Sequence, residues 1–347
     1  DARPVFEYIQ YLRNPNAPKP KLVILENVGG MLAPFRNPKF SEFKCPLDYL
    51  MRGTSCIADP KTKKNKPFKH GLEFLPDYKA TYFTLDARTA GLPMRRRRVF
   101  ILLVRVDVLE AAEVDISFAA ALVAHIKTRP IERKPIDDFI TPEMVLPSSY
   151  KKVKEDRQRL TVKGWEKINA ARSKKGTKLL KLPNGKKVGQ TGVSLFGKSA
   201  SKEVLNQVSE REVESINFVY ERLGIGNIPD ELTININEST GRNTTGVGNI
   251  RMSTGSRIWY KKGNCLLNHA TIFKIFGWDP ATITIPDGVF PTALKRLQGN
   301  MIAIPTIGTA LIVAIAFLPE LSEWRKGHPL NPNKGKRVVS QAECVGV

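Results

Sequence analysis

The sequence predicts an α/β fold: a sheet flanked by helices, followed along the chain by a long basic segment. Three observations carry this. Val99-Phe100-Ile101-Leu102-Leu103-Val104 is an uncharged, aliphatic run of strand length. It reads as a central strand covered on both faces. Immediately before it, Gly91-Leu92-Pro93-Met94 turns into Arg95, Arg96, Arg97 and Arg98. Four adjacent cations repel one another unless anions offset the cost, and this cluster is aimed by a rigid element at the mouth of a sheet. Open α/β sheets bind ligands at strand ends. Finally, the positive charge is local. Of a net +22, residues 151–200 contribute +12, from 15 Lys or Arg against 3 Asp or Glu.

The elements follow in order. Val5, Phe6, Ile9 and Leu12 have helical spacing over residues 5–13. Lys19-Pro20-Lys21 leads into the apolar strand Leu22 to Leu25, which ends at Glu26-Asn27-Val28-Gly29-Gly30. Polar residues at the end of a buried strand make a βα-type ligand site. Residues 34–70 read as a long loop with a short helix at Leu47–Met51. Tyr78 to Leu85 alternates as a strand and pairs, hairpin-like, with the strand behind the arginines. Leu109 to Ile126 is an Ala-rich helical stretch, followed by a Pro-rich connector over 128–150. The basic segment 151–200 interleaves Trp165, Phe196 and glycines, as a surface that tracks a phosphate backbone does. A helix is expected over 201–224, a polar Gly/Thr loop over 237–258, and a helix from Leu266 to Phe276. A tight Gly299-Asn300 turn, offering backbone donors, then leads through a loop into a buried helix at Leu311–Leu318. The tail from Glu323 is polar, basic and expected to fray.

Composition sets limits. The chain has 347 residues, 41% of them hydrophobic, so two domains and a sizeable core are within reach. The charge excess points to a polyanionic partner, nucleic acid first. Cys45, Cys56, Cys265 and Cys344 lack zinc or CxxC spacing and fit a reducing compartment. His70, His125, His269 and His328 are isolated, so no metal is expected. Met301–Leu318 is eighteen residues without charge. Pro305, Thr306, Gly308 and Thr309 interrupt it and no basic flank frames it, so no membrane span is expected. Gly192-Val193-Ser194-Leu195-Phe196-Gly197-Lys198-Ser199 fits the P-loop pattern but has no apolar strand before it, and reads as a chance match. Cys45-Pro46 sits in a loop and reads as a plain thiol. Asp1 looks like an internal residue, so the chain is expected to be a fragment.

Together the motifs resemble those of the C5-cytosine-specific DNA methyltransferase family. Leu25-Glu26-Asn27-Val28 resembles its ENV motif. Gly91 to Ile101 resembles its GxPQxRxRxxI motif, with Met94 where the family has Gln. Asp1-Ala2-Arg3 is similar to its acidic-x-Arg motif. Leu267 to Trp278 resembles a further segment without its acidic residue, and Leu297-Gln298-Gly299-Asn300-Met301 to Pro305 the final GN motif.

The resemblance implies a partial Rossmann-like sheet over residues 1–110, a target-recognition insert over 111–280, a return to the catalytic domain over 281–325, and a flexible tail over 326–347. In that family a Cys thiolate adds across C6 of a flipped cytosine, activating C5 towards the methyl of S-adenosyl-L-methionine. Glu26, beside Asn27, would contact N3 and the 4-amino group, and Arg98 would hold O2 and orient Glu26. Arg96 would serve the same pocket or a flanking phosphate. Gly299, Asn300 and Met301 would border the cofactor pocket. Double-stranded DNA would meet Arg95, Arg97, Lys174, Lys175, Lys186, Lys187, Arg242 and Arg251.

The family's FxGxG cofactor loop and Pro-Cys nucleophile loop are missing. Both precede the acidic-x-Arg motif, so an N-terminal portion or a separate subunit is expected to carry them, and the fragment to be inactive alone. The competing expectations are a tRNA cytosine methyltransferase, which would carry a shorter insert, and a non-catalytic DNA-binding remnant or recognition subunit. The compartment would be the nucleus in a eukaryote and the nucleoid otherwise.

Overall fold

The computed structural model describes residues 3–35, 43–58, 65–69, 71–129, 131–142, scattered positions within 212–227, and then 228–236, 245–250, 257–289 and 291–327. The basic segment 151–200, the P-loop-like octapeptide and Asp1-Ala2 lie outside them. The fold is mixed α/β, in two compact units. One comprises Asp1–Thr89, Arg97–Pro130 and Thr306–Val347, the other Ala90–Arg96 and Ile131–Pro305. The chain thus passes between units inside the arginine run.

The first unit is built on a three-stranded sheet ordered β1-β5-β4, with β1 at Leu22–Val28, β4 at Tyr78–Asp86 and β5 at Arg97–Arg105. Val99 to Val104 are all at most 1% exposed. A strand buried on both faces must be apolar at every position, and this one is. The pairing of β4 with β5 is the expected hairpin-like edge. Both neighbours of β5 run antiparallel to it, however. This part of the sheet lacks the parallel βαβ crossover that an α/β reading of β1 implies, because β1 runs into a short 3-10 turn at Gly29–Leu32.

One face of the sheet packs Val23, Val99, Ile101, Leu103 and Tyr78 against Ile9 and Leu12 of α1 (Arg3–Arg13) and Leu47, Leu50 and Met51 of α2 (Pro46–Arg52). Burying each such side chain contributes roughly 1.5–3 kcal/mol before chain entropy is counted. The other face carries Phe100 stacked on Phe83, with ring centroids 5.9 Å apart. A hairpin of β2 (Thr54–Ala58) and β3 (Asn65–Lys69) occupies part of what reads as loop in the sequence.

The helical stretch expected over 109–126 consists of two helices, α3 (Val106–Ala112) and α4 (Phe118–Lys127). Glu113 takes a left-handed conformation with φ 53° and ends the first. Asp115 then accepts the Ser117 amide at 2.8 Å before the second begins. A left-handed residue followed by a side-chain turn outweighs the helical propensity of the flanking alanines.

The second unit contains a four-stranded antiparallel sheet, β7-β6-β8-β9, formed by Leu232–Asn235 (β6), Thr245–Val247 (β7), Ile258–Tyr260 (β8) and Cys265–Leu266 (β9). Its strands are two to four residues long, too short for their periodicity to show in sequence. Ile216, Val219, Tyr220, Leu232, Ile234, Ile236 and Trp259 form its core. Trp259 Nε1 donates to Tyr220 Oη at 3.2 Å, which satisfies a buried indole. Helix α5 (His269–Ile275) starts at Asn268, whose side chain accepts the Thr271 amide at 2.7 Å.

The last helices differ from expectation. Gly299 and Asn300 are not a turn but the final residues of α6 (Pro291–Asn300). Helix α7 spans Ile304–Ile315, so Pro305 falls in a first turn, where its missing N–H costs nothing. It is buried on one face only, through Thr306, Ala310, Val313 and Ala314, while Leu311, Ile312 and Ile315 are exposed. The tail is ordered through α8 (Ser322–Gly327), because Arg325 is buried and donates to Ala316 O and Leu318 O at 2.8 and 2.6 Å. Among the described residues, no single helix is long and apolar enough to cross a membrane.

Candidate functional site

The first unit places Glu26 beside Arg98. Strand β1 continues through Val28, so Glu26 and Asn27 lie within the strand rather than after it. Antiparallel pairing sets Glu26 opposite Phe100 and Val28 opposite Arg98. Side chains directly opposite share a face, so Glu26 and Arg98 are diagonal neighbours on the Phe100 face. Arg98 Nε lies 2.6 Å from Glu26 Oε1, an ion contact off the line of a hydrogen bond. Burial pushes the Arg98 guanidinium below its ordinary pKa, and the Glu26 charge opposes that shift. The pair sits at one end of the sheet, where β1 finishes and β5 starts. Asn27 points to the opposite face by alternation, and its side chain accepts the Val28 amide at 2.8 Å.

Exposure alternates along the arginines. Arg95 and Arg97 are exposed, whereas Arg96 and Arg98 are 6% and 8% exposed. Arg97 has a neighbour the sequence does not reveal. Lys127, at the end of α4, is held below the usual lysine pKa by burial and then by the charge of Arg97. No sequence signal could have found it, since only the packing of α4 on the sheet brings it there.

In the second unit, Arg96 is engaged with protein. Its Nη2 donates to Gly299 O at 2.5 Å, and its guanidinium lies 5.1 Å from the centre of the Phe276 ring. A cation on the last carbonyls of α6 complements the helix dipole. Arg96 and Arg98 therefore share sidedness but belong to different units, and Arg96 spends donors on a carbonyl and a ring. The arm that carries it is fixed. Ile250 donates to Pro93 O at 2.8 Å, and Arg95 N donates to Ile250 O at 2.9 Å. Met94, where the family motif has Gln, is 1% exposed. Gly91 has φ 79°, and a Cβ there would lie 2.8 Å from Ile131 Cγ2. A glycine is required at that turn.

The residues expected to border the cofactor do not fit one as a set. Gly299 is helical and buried, with its carbonyl bound by Arg96. Met301 is 9% exposed, and only Asn300 presents an exposed polar side chain. A single amide does not make a site for S-adenosylmethionine, so no step through it follows from these residues. Lys174, Lys175, Lys186, Lys187, Arg242 and Arg251 lie outside the described residues. Among those described, no group of three His, Cys, Asp or Glu side chains could hold a metal ion. Compared with known proteins, the chain matches no family model, and no curated protein matches it either.

Proposed function

We propose that this chain is the base-holding and DNA-binding part of a cytosine-5 DNA methyltransferase with a Rossmann-like catalytic sheet. The Glu26–Arg98 pair carries the reading. Paired on one sheet face at a strand end, the carboxylate and guanidinium offer the acceptor and donors that the N3, 4-amino and O2 edge of cytosine requires. A base reaches such a pair only when extruded from the duplex. The exposed Arg97, next to Arg98 in sequence, holds an adjacent phosphate, while Arg95 and the basic segment hold other phosphates of the backbone. The thiolate and the S-adenosylmethionine site belong to a further portion of polypeptide or a subunit. The length of the basic insert favours duplex DNA over a tRNA substrate.

The test is transfer of a labelled methyl group to duplex DNA by a polypeptide containing these residues and their upstream sequence. Glu26→Gln and Arg98→Ala should each lower the rate at least ~100-fold, the scale for losing a transition-state hydrogen-bonding partner. Unchanged rates in both variants would overturn the site. DNA binding without transfer in the unsubstituted protein would leave a non-catalytic recognition role in its place.

A further inference from the structure

Strand β1 is an edge strand. Among the described residues it pairs with β5 alone. Leu22-Val23-Ile24-Leu25 is nevertheless apolar at every position, and no Lys, Pro or bulge interrupts Leu22–Val28. The one charge in the strand, Glu26, is paired with Arg98. Proteins blunt their sheet edges with such devices, and an apolar edge without them is a template for another strand. Val28 is 52% exposed, against at most 1% for Val99 to Val104 in β5.

The other edge, β4, is protected. Lys79 is exposed within it. Tyr78 N donates to Leu75 O at 3.3 Å, and Asp86 O accepts from Thr89 Oγ1 at 2.7 Å, so backbone groups at both its ends are engaged.

Backbone parity decides which groups β1 offers. Arg105 N donates to Lys21 O at 3.0 Å. Lys21, Val23, Leu25 and Asn27 therefore bond towards β5, while Leu22, Ile24, Glu26 and Val28 direct their N–H and C=O groups outwards. The row is closed at both ends. The Val28 N–H is taken by its own Asn27 Oδ1 at 2.8 Å. Pro20 has no N–H, and its carbonyl accepts Tyr78 Oη at 2.9 Å.

A second copy of the same strand fits this row in one register. Antiparallel pairing about a two-fold axis at Ile24 sets Ile24 opposite Ile24, Leu22 opposite Glu26 and Pro20 opposite Val28. The two residues with no donor to offer then face each other at both ends. A shift of two residues in one direction sets Leu22 opposite Val28, whose N–H is already taken. The opposite shift sets Pro20 opposite Glu26, where proline supplies neither group. In the fitting register Val23 meets Leu25 on the other face, and no like charges are opposed. A two-fold contact closes on itself and leaves only the protected β4 edges outside.

We propose that two copies of this chain pair through β1, antiparallel and centred on Ile24, and join their three-stranded sheets into one. The pairing is independent of the proposed function.

Sedimentation equilibrium of the intact chain tests it. The mass should rise from monomer to dimer across the micromolar range. Ile24→Lys should weaken association at least ~10-fold, because the two-fold axis sets the two ammonium groups against each other. Ile24→Glu should do the same. An equimolar mixture of these two variants should regain the dimer, which also shows that both remain folded. Ile24→Cys should form an intermolecular disulfide beyond any seen in the unsubstituted chain, since residues opposite in such a ladder have Cα atoms about 5.5 Å apart. Val23→Cys, displaced from its own copy in this register, should not. A monomeric mass throughout that range would overturn the proposal. So would a dimer indifferent to Ile24→Lys, a mixture of the charge variants that stays monomeric, or equal cross-linking through positions 23 and 24.

Discussion

Arg98 and Arg97 are consecutive and chemically identical, yet the strand assigns them opposite tasks. Arg98 faces the buried side with Glu26, whose side chain is 24% exposed. Arg98→Ala would leave that carboxylate half-buried without its cation. The expected loss is about 2 kcal/mol of unfolding free energy, below the 3–5 of a fully buried pair because water still reaches Glu26. Arg97→Ala, on the exposed side, should change stability by less than about 0.5 kcal/mol and lower the salt slope of DNA binding by ~1. Chemical denaturation of both variants, read beside a salt titration, separates the roles. A comparable stability loss in Arg97→Ala would contradict the assigned sidedness. The alternation was legible in the sequence because a strand repeats every two residues. The protein partners of Arg96 were not, since Gly299 and Phe276 lie about two hundred residues away along the chain.

Helices α5 and α6 are tied by His269 and Gln298. Nδ1 of His269 lies 2.9 Å from Gln298 Oε1, and Gln298 Nε2 donates to His269 O at 3.2 Å. Burial lowers the His269 pKa first. Its hydrogen bond to Gln298 opposes that shift, while Lys295 and Arg257 add to it. With the folded pKa below the unfolded value of about 6.5, the unfolded chain binds more protons between the two. The stabilisation is therefore complete above about pH 6.5 and is lost as pH falls through the window beneath it. Urea midpoints of the second unit should fall over that range, and His269→Gln should flatten the dependence. A dependence unchanged by the substitution would place the titrating group elsewhere. Helices were legible in outline from their apolar spacing, but their ends were not. A left-handed Glu113 and a helical Gly299 are decided by local backbone geometry that composition does not report. The exposed face of α7 marks the same limit, because an uncharged run cannot say which of its sides a fold will cover.

Across the whole molecule the charge is concentrated, with +12 of the net +22 inside fifty residues. If that segment engages 6–10 phosphates, affinity for duplex DNA should drop ~10³–10⁵-fold between 50 and 200 mM salt. Fluorescence anisotropy across that range measures the slope, and a flat response would exclude a phosphate-tracking role. What the sequence by itself determined was what each stretch is able to be. The continuous apolar run 99–104 had to be a covered strand, and Arg97 and Arg98, its first residues, had to face opposite sides. What only the tertiary structure decided was pairing and partition. Antiparallel alignment of β1 with β5, rather than their order along the chain, brings Glu26 to Arg98. The boundary between the two units falls between Arg96 and Arg97 and sends neighbouring cations into different packing environments. Strand direction and unit boundaries depend on contacts between residues far apart in sequence, and local periodicity carries no record of those contacts.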